Sequence, residues 1–331
     1  MGLKLLNEPI NIGTMNLKNR LVMPPMATAK SSPEGSVSED LLNYYREYAS
    51  GKIGLIIVEH AFVSKRGRAS DLQLSVSEDM DVIGLSKLAQ VIKQNGTMAM
   101  MQINHAGSAT RESITGKRLV TSSPMHHPGK KMPTGETPHE LTIEEMKLVV
   151  DVFTRAAVRV KRAGFDGVEI HAAHGYLLNQ FYSPLTNKRN DQYGGSLENR
   201  LRLHCEVIQG VREAVGDFPI AVRLGGCDYR EGGSTVDDAV KAAKILENEG
   251  IDLLDVSGGI GGYNVPGRTE PGWFKEMSSA IVQAVRIPVM LTGGVVASEQ
   301  AEALLAARAA NLIGVGRAMF EDSTWADREV R

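Results

Sequence analysis

Eight short runs of β-branched and apolar residues, each followed by a longer stretch, recur along the 331 residues. They fall at 21–25, 55–60, 98–103, 167–171, 220–224, 253–257, 289–292 and 312–316. Helical periodicity fills the intervals, most clearly at 143–163, 197–215, 235–249 and 298–307. Two of these helices end on Ala163-Gly164 and Glu249-Gly250, where glycine accepts the left-handed backbone of a helix stop. Eight strand-then-helix units predict an α/β fold, specifically a (β/α)8 TIM barrel rather than an open doubly wound sheet. No linker, repeat or low-complexity tract interrupts the pattern, so a single domain spanning 1–331 is expected. Residues 1–19 precede the first strand and are expected to close the base of the barrel as an N-terminal extension, in hairpin form.

Active sites of such barrels sit at the C-terminal ends of the strands and on the loops that follow. The polar residues there are His60, Gln102, His171, Arg223, Ser257, Thr292 and the pair Gly316-Arg317. Strand alternation puts Glu169 with His171, Ala221 with Arg223, and Met100 with Gln102. If the opposite faces pack on helices, these polar tips converge on the barrel mouth. Two connections are long, 104–140 and 172–197, and long loops on the catalytic side usually cover or shape a site.

Composition narrows the function classes. A formal net charge of −2 leaves no basic footprint for nucleic acid. No apolar run reaches the roughly 18 residues of a membrane span. Asn7, Glu8 and Asn11 interrupt the N-terminus before any signal-peptide core could form, so a cytoplasmic location is expected. Cys205 and Cys227 are the only cysteines, which argues against a disulfide framework, structural zinc or an iron–sulfur cluster.

Glycine and arginine mark the last strands: Thr292-Gly293-Gly294 and Gly314-Val315-Gly316-Arg317, with Ser257-Gly258-Gly259 before them. Loops after strands 7 and 8 of a barrel often bind phosphate. Glycine lets backbone N–H groups approach the anion, and Arg317 can pair with it bidentately. The plainer alternative is that these glycines only serve tight turns. The run His171-Ala172-Ala173-His174-Gly175-Tyr176 places three hydrogen-bond donors at a strand tip. That is a device for gripping and protonating a carbonyl compound. A metal site would need a third ligand, and no carboxylate accompanies the histidines, so no metal is expected.

On these residues the chain resembles the old yellow enzyme family of FMN-dependent oxidoreductases. The resemblance rests on Asn19-Arg20-Leu21-Val22-Met23-Pro24-Pro25-Met26, Gln102-Ile103-Asn104-His105-Ala106-Gly107 and His171 to Leu178. It continues through Gln180 to Pro184, Arg189 to Arg200 and Gly314 to Ala318, in family order over nearly the whole chain. The resemblance implies a (β/α)8 barrel with FMN on its mouth and NADH or NADPH as reductant. It places the phosphate at Gly293, Gly294, Gly316 and Arg317, with Ser257 and Gly258 lining the same pocket. Pro25, Met26 and Ala27 would line the flavin through backbone groups, and Gln102 would bond its pyrimidine edge. Arg223 would stand beside N1 and the C2 carbonyl, where reduced flavin carries negative charge. The alternative for Arg223 is a barrel-core ion pair with Glu169 or Glu59. His60 matches a position near the flavin where relatives carry small residues, and its role is open.

For the catalytic step, the resemblance implies that His171 and His174 hold the carbonyl oxygen of an enone or related activated alkene, and that Tyr176 protonates the α-carbon. The chain departs from many relatives at Ala27, where Cys or Thr is common, and at Ala29, where one subgroup carries tyrosine. Both changes make the substrate face less polar, which suggests a bulky or extended substrate. Larger relatives append iron–sulfur and dinucleotide-binding domains, whereas these 331 residues hold neither motif. The expectation is therefore that nicotinamide and substrate meet one flavin face in turn, giving ping-pong kinetics, or that a partner protein reduces the flavin. Rival readings are a same-family oxidase, dehydrogenase or demethylase, and a non-catalytic flavin electron-carrier subunit. A phosphate-binding lyase or isomerase would need a strand-end lysine, and the eight tips carry none. The sequence leaves a homo-oligomer open.

Overall fold

The computed structural model describes residues 3–129 and 135–330, so part of the 104–140 connection, and residues 1, 2 and 331, lie outside it. Eight parallel strands close into a barrel: β1 (Leu21–Met23), β2 (Leu55–Phe62), β3 (Met98–Asn104), β4 (Gly167–Ala172), β5 (Ile220–Cys227), β6 (Leu253–Gly258), β7 (Val289–Thr292) and β8 (Leu312–Gly314). Neighbours around the barrel follow chain order, and β8 pairs with β1 to close it. This is the (β/α)8 TIM barrel that the alternating pattern predicts. Among the described residues, no helix is long and apolar enough to cross a membrane.

The helices form for local reasons. In Ile143–Arg162, Thr142 caps the Glu145 amide and the Glu145 carboxylate accepts from the Thr142 amide, a reciprocal capping box. Its buried positions, Met146, Val149, Phe153, Ala156, Ala157 and Val160, follow the three- and four-residue spacing of one face. The strands differ from the sequence pattern mainly at their ends. β1 stops at Met23 because Pro24 and Pro25 have no N–H to donate to a ladder. The 172–197 connection contains a helix, Leu177–Tyr182, whose residues are all buried, so it carries no amphipathic stripe to announce it.

Strand parity sorts side chains into two environments. Ile56, Val58, Val168, Ile170, Val222, Leu224, Leu254 and Val256 pack outward on the helix layer. Val22, Leu55, Ile57, Met100, Ala221, Leu253, Met290 and Leu312 fill the barrel interior. The hairpin Ile10–Ile12 with Met15–Leu17 pairs antiparallel, and Ile12, Met15 and Leu17 join that interior cluster. Above it lie the inward polar residues Gln102, Glu169, Arg223 and Asp255, all buried.

Two irregularities break the ladders near the mouth. Val58 pairs with Met101 but Ala61 pairs with Ile103, so Glu59 and His60 together oppose Gln102. Ser257 pairs with Gly225 but Gly258 pairs with Cys227, leaving Gly226 as the extra residue. Each is a β-bulge, which re-aims side chains beyond it. On β2 the parity flips: Ile56 and Val58 face the helices below the bulge, Ala61 and Val63 above it.

Candidate active site

The run from His171 to Tyr176 ends β4 and begins the Leu177–Tyr182 helix, with Tyr176 at its N-cap position. The chain turns here through two left-handed residues, His174 (φ +59°) and Gly175 (φ +73°). A non-glycine residue in that region costs roughly 1–2 kcal/mol, so the turn needs support. Buried amides provide it. Asn179 Oδ1 accepts from the Gly175 amide at 2.8 Å, Gln180 Nε2 donates to Gly175 O at 2.7 Å, and the His174 amide donates to Gly258 O at 3.2 Å. His127 Nε2 also lies 2.9 Å from Gly175 O.

The turn brings five rings into a row. His60 and His171 have centroids 6.2 Å apart, His171 and His174 5.0 Å, and His174 and Tyr263 6.0 Å. Tyr176 flanks both His171, at 5.0 Å, and His60, at 5.5 Å. The Ala173 amide donates to His171 Nδ1 at 3.3 Å, which leaves the neutral ring's proton on Nε2. Burial holds the His171 and His174 pKa values well below the usual histidine range, and the cation Arg223 lowers both further. Burial pushes the Tyr176 phenol up to about 12. The rings are therefore neutral near pH 7 and the phenol keeps its proton.

Ser257 sits with these rings. Its hydroxyl is 2.7 Å from His174 Nε2, and the tip it belongs to also accepts the His174 amide through Gly258 O. The sequence pattern groups Ser257 and Gly258 with the phosphate-type tips; the structure sets this tip against the histidines.

Beneath the rings, Gln102 Nε2 donates to Glu169 Oε1 at 2.7 Å. Arg223 Nε lies 3.0 Å from Asp255 Oδ2, but neither atom has an aligned hydrogen bond, so the contact is an ion pair rather than a formed bond. The ion-pair alternative for Arg223 is thus corrected in its partner. Asp255 takes the place of Glu169 or Glu59, and it shares an inward face with Ser257, a signal that strand alternation carries. Glu59 is turned away by the bulge: its carboxylate accepts from the Thr28 amide at 3.0 Å and from the Thr28 hydroxyl at 2.5 Å. Burial raises the pKa values of Asp255 and Glu169 despite the guanidinium, and most strongly for Glu169, which also feels Asp255.

Does the barrel mouth fit a flavin with its phosphate? The terminal nitrogens of Arg223 make no hydrogen bond among the described residues, and Gln102 keeps its carbonyl oxygen unengaged. A pyrimidine edge that offers an N–H beside developing negative charge suits that pair: the carbonyl oxygen would accept from the N–H and the guanidinium would offset the charge. At the other side, Gly293 (φ +152°) and Gly294 (φ +70°) need glycine both for conformation and for space. A Cβ on Gly293 would fall 2.6 Å from Trp273 Nε1. That indole N–H and the Thr292 hydroxyl are buried with no partner. Arg317 lies 5.0 Å over the Trp273 ring and has no ion pair among the described residues. Gly316 approaches Met26, which joins this corner to the Pro25-Met26-Ala27 segment. Unsatisfied donors beside an unpaired cation are what a bound phosphate would complete. Trp273, far from the glycine motifs in sequence, carried no local signal of its place here.

The 189–200 tract orders the surroundings. Arg189 donates to Ser122 O at 3.1 Å and Leu141 O at 2.9 Å, and pairs with Asp191 at 2.6 Å, stapling the two long connections together.

Comparison with known proteins adds four findings. The model of a family described as NADH:flavin oxidoreductase / NADH oxidase matches residues 5–329. An NADH oxidase of Thermoanaerobacter brockii is 41% identical over 323 residues, 95% of this chain but 49% of that relative, so the chain spans about half its length. An NADPH dehydrogenase of Halalkalibacterium halodurans is 37% identical over 312 residues, 94% of this chain and 89% of that protein. Among solved structures, an old yellow enzyme homologue from Zymomonas mobilis superposes with a TM-score of 0.84 at 28% identity, covering 98% of this chain and 91% of that one.

Proposed function

From a chain that belongs to the NADH:flavin oxidoreductase / NADH oxidase family, that of the old yellow enzymes, we propose an FMN-dependent NAD(P)H oxidoreductase that reduces the C=C bond of α,β-unsaturated carbonyl compounds. The observation that carries this reading is the convergence of His171, His174 and Tyr176 on one mouth above Arg223 and Gln102. Pro25, Met26, Ala27, Gln102, Arg223, Gly293, Gly294, Gly316 and Arg317 would hold FMN, and Trp273 would join them at the phosphate. When bound, FMN supplies a ring that accepts hydride from a nicotinamide and returns it to an alkene. A single domain of residues 1–331 is part of the same proposal.

The chain's own groups do the rest. His171 presents a neutral Nε2–H, and His174 offers a second donor. Two donors on one carbonyl oxygen polarise the conjugated alkene and hold the enolate charge as it develops. Tyr176, kept protonated by burial, delivers a proton to the α-carbon. Arg223 supplies the fixed positive charge beneath.

Pure electron transfer needs no proton donor, so these three side chains favour an enzyme over a carrier subunit. The test is direct. Purified protein supplemented with FMN is expected to show a flavin visible band, to bleach anaerobically with NADH or NADPH, and to regain colour on addition of 2-cyclohexenone. Absence of a flavin band would overturn the proposal; recovery of colour with oxygen but no enone would favour the oxidase reading.

Ser257 gives a second prediction. For His174 to donate from Nδ1, the Ser257 hydroxyl must donate to Nε2. Ser257→Ala is expected to weaken binding of phenolic enolate mimics by about 3- to 10-fold, the worth of one hydrogen bond. Flavin content should stay at the wild-type level. Loss of flavin with unchanged phenol affinity would instead return Ser257 to the cofactor site.

A further inference from the structure

His60 is left over from the roles above. Its place depends on the bulge in β2, because strict alternation from Ile57 would turn Glu59, not His60, into the barrel mouth. The bulge exchanges them and brings the His60 ring beside His171 and Tyr176.

The proton on this ring is also fixed. Gln73 Oε1 accepts from the Ala69 amide at 2.6 Å, and Gln73 Nε2 donates to His60 O at 3.1 Å, so the amide can face only one way. Its nitrogen lies 2.7 Å from His60 Nδ1, and Asn104 Nδ2 lies 3.4 Å from the same atom. Two amide nitrogens aimed at Nδ1 make it an acceptor and place the hydrogen on Nε2. Nε2 makes no hydrogen bond among the described residues. Burial lowers the ring's pKa to about 4, so near pH 7 it is a neutral, oriented donor.

His60 and His171 are thus two imidazoles of the same locked tautomer, with ring centroids 6.2 Å apart and Tyr176 beside both. That separation is on the scale of a six-membered ring. We propose that His60 is a specificity-determining residue that grips a second acceptor oxygen of the substrate, selecting enediones and quinone-like rings over simple enones. The proposal rests on the ene-reductase reading for its first oxygen, held by His171 and His174. A site built to hydrogen-bond an oxygen discriminates against the analogue that lacks it, because its own buried donor is then left unpaired.

The test compares two substrates that differ by one carbonyl, cyclohex-2-ene-1,4-dione and 2-cyclohexenone. His60→Phe keeps an aromatic ring at the position, slightly enlarged, and removes the donor. It is expected to lower kcat/KM for the enedione about ten-fold while 2-cyclohexenone stays within about two-fold. Gln73→Leu, which releases the tautomer but keeps the imidazole, should shift the same ratio in the same direction, and it serves where His60→Phe fails to fold. A binding readout accompanies turnover: affinity for 4-hydroxybenzaldehyde should fall in both variants, and affinity for 4-methylphenol should hold. Parallel losses for both members of a pair, or no change in either, would overturn the role of His60. If the wild-type protein reduces neither enone, the ene-reductase reading fails, and the phenol pair alone then decides His60.

Discussion

Tyr176→Phe is expected to slow reduction of 2-cyclohexenone about 10²- to 10⁴-fold, the usual contribution of a positioned general acid, while reduction of the flavin by NADH or NADPH stays within about two-fold. The asymmetry follows from the chemistry. Hydride transfer from nicotinamide to flavin needs no proton at the substrate α-carbon, whereas completing the saturated product does. Phenylalanine retains the ring that packs 5.0 Å from His171 and 5.5 Å from His60, so the row of rings is preserved. Anaerobic stopped-flow measurement of the two half-reactions separates them, and equal losses in both would remove Tyr176 as the acid. The same experiment has a pH signature. With His60 lowered to about 4 and Tyr176 raised to about 12, the alkene half-reaction should be flat across neutral pH. A limb near the ordinary histidine value would mean that an imidazole titrates during turnover.

Arg223→Met is expected to affect both fold and cofactor. Asp255 and Glu169 are fully buried, and Arg223 is the cation that faces them. Removing one partner of a buried ion pair costs about 3–5 kcal/mol, because the other charge is left uncompensated. Flavin retention should fall as well, since the fixed charge beneath its pyrimidine edge is gone. The double variant Arg223→Met/Asp255→Asn separates the effects: stability should largely return and flavin binding should not. The pH dependence has a definite sign. Without the guanidinium, the folded-state pKa of Asp255 rises further above its unfolded value, so the folded protein holds an extra proton. The single variant should then be relatively more stable in mild acid and lose stability as pH rises through that folded value. Thermal melts of the three proteins across pH, with flavin absorbance, check all of this; a double variant that regains flavin would contradict the role of Arg223.

Most of the scaffold was legible because the strands are runs of apolar residues with helical periodicity between them, and two of the helices end on a glycine stop of their own. The polar tips were legible too: Gln102, His171, Arg223 and Ser257 stand where alternation puts them. What escaped depends on pairing between distant segments. A bulge is a property of two strands in register, so nothing in residues 55–62 alone says that Glu59 turns toward Thr28 and His60 toward Tyr176. The Leu177–Tyr182 helix was hidden because all its faces are buried. Trp273 meets Gly293 only through the closed barrel. Asp255 is the exception: it shares parity with Ser257 and was open to inspection.

The two bulges divide each affected stave of the barrel into a lower part with one parity and a tip with another. Below them, the packing against the helices is indifferent to what the rim displays. Loss of His60 would restore the uninterrupted frame and bring the Glu59 carboxylate to the rim in place of the imidazole, whereas loss of Glu59 would restore the frame and leave the imidazole there. A barrel built this way can exchange one functional group for another by a change of reading frame in its pleat, with every other stave left as it stands.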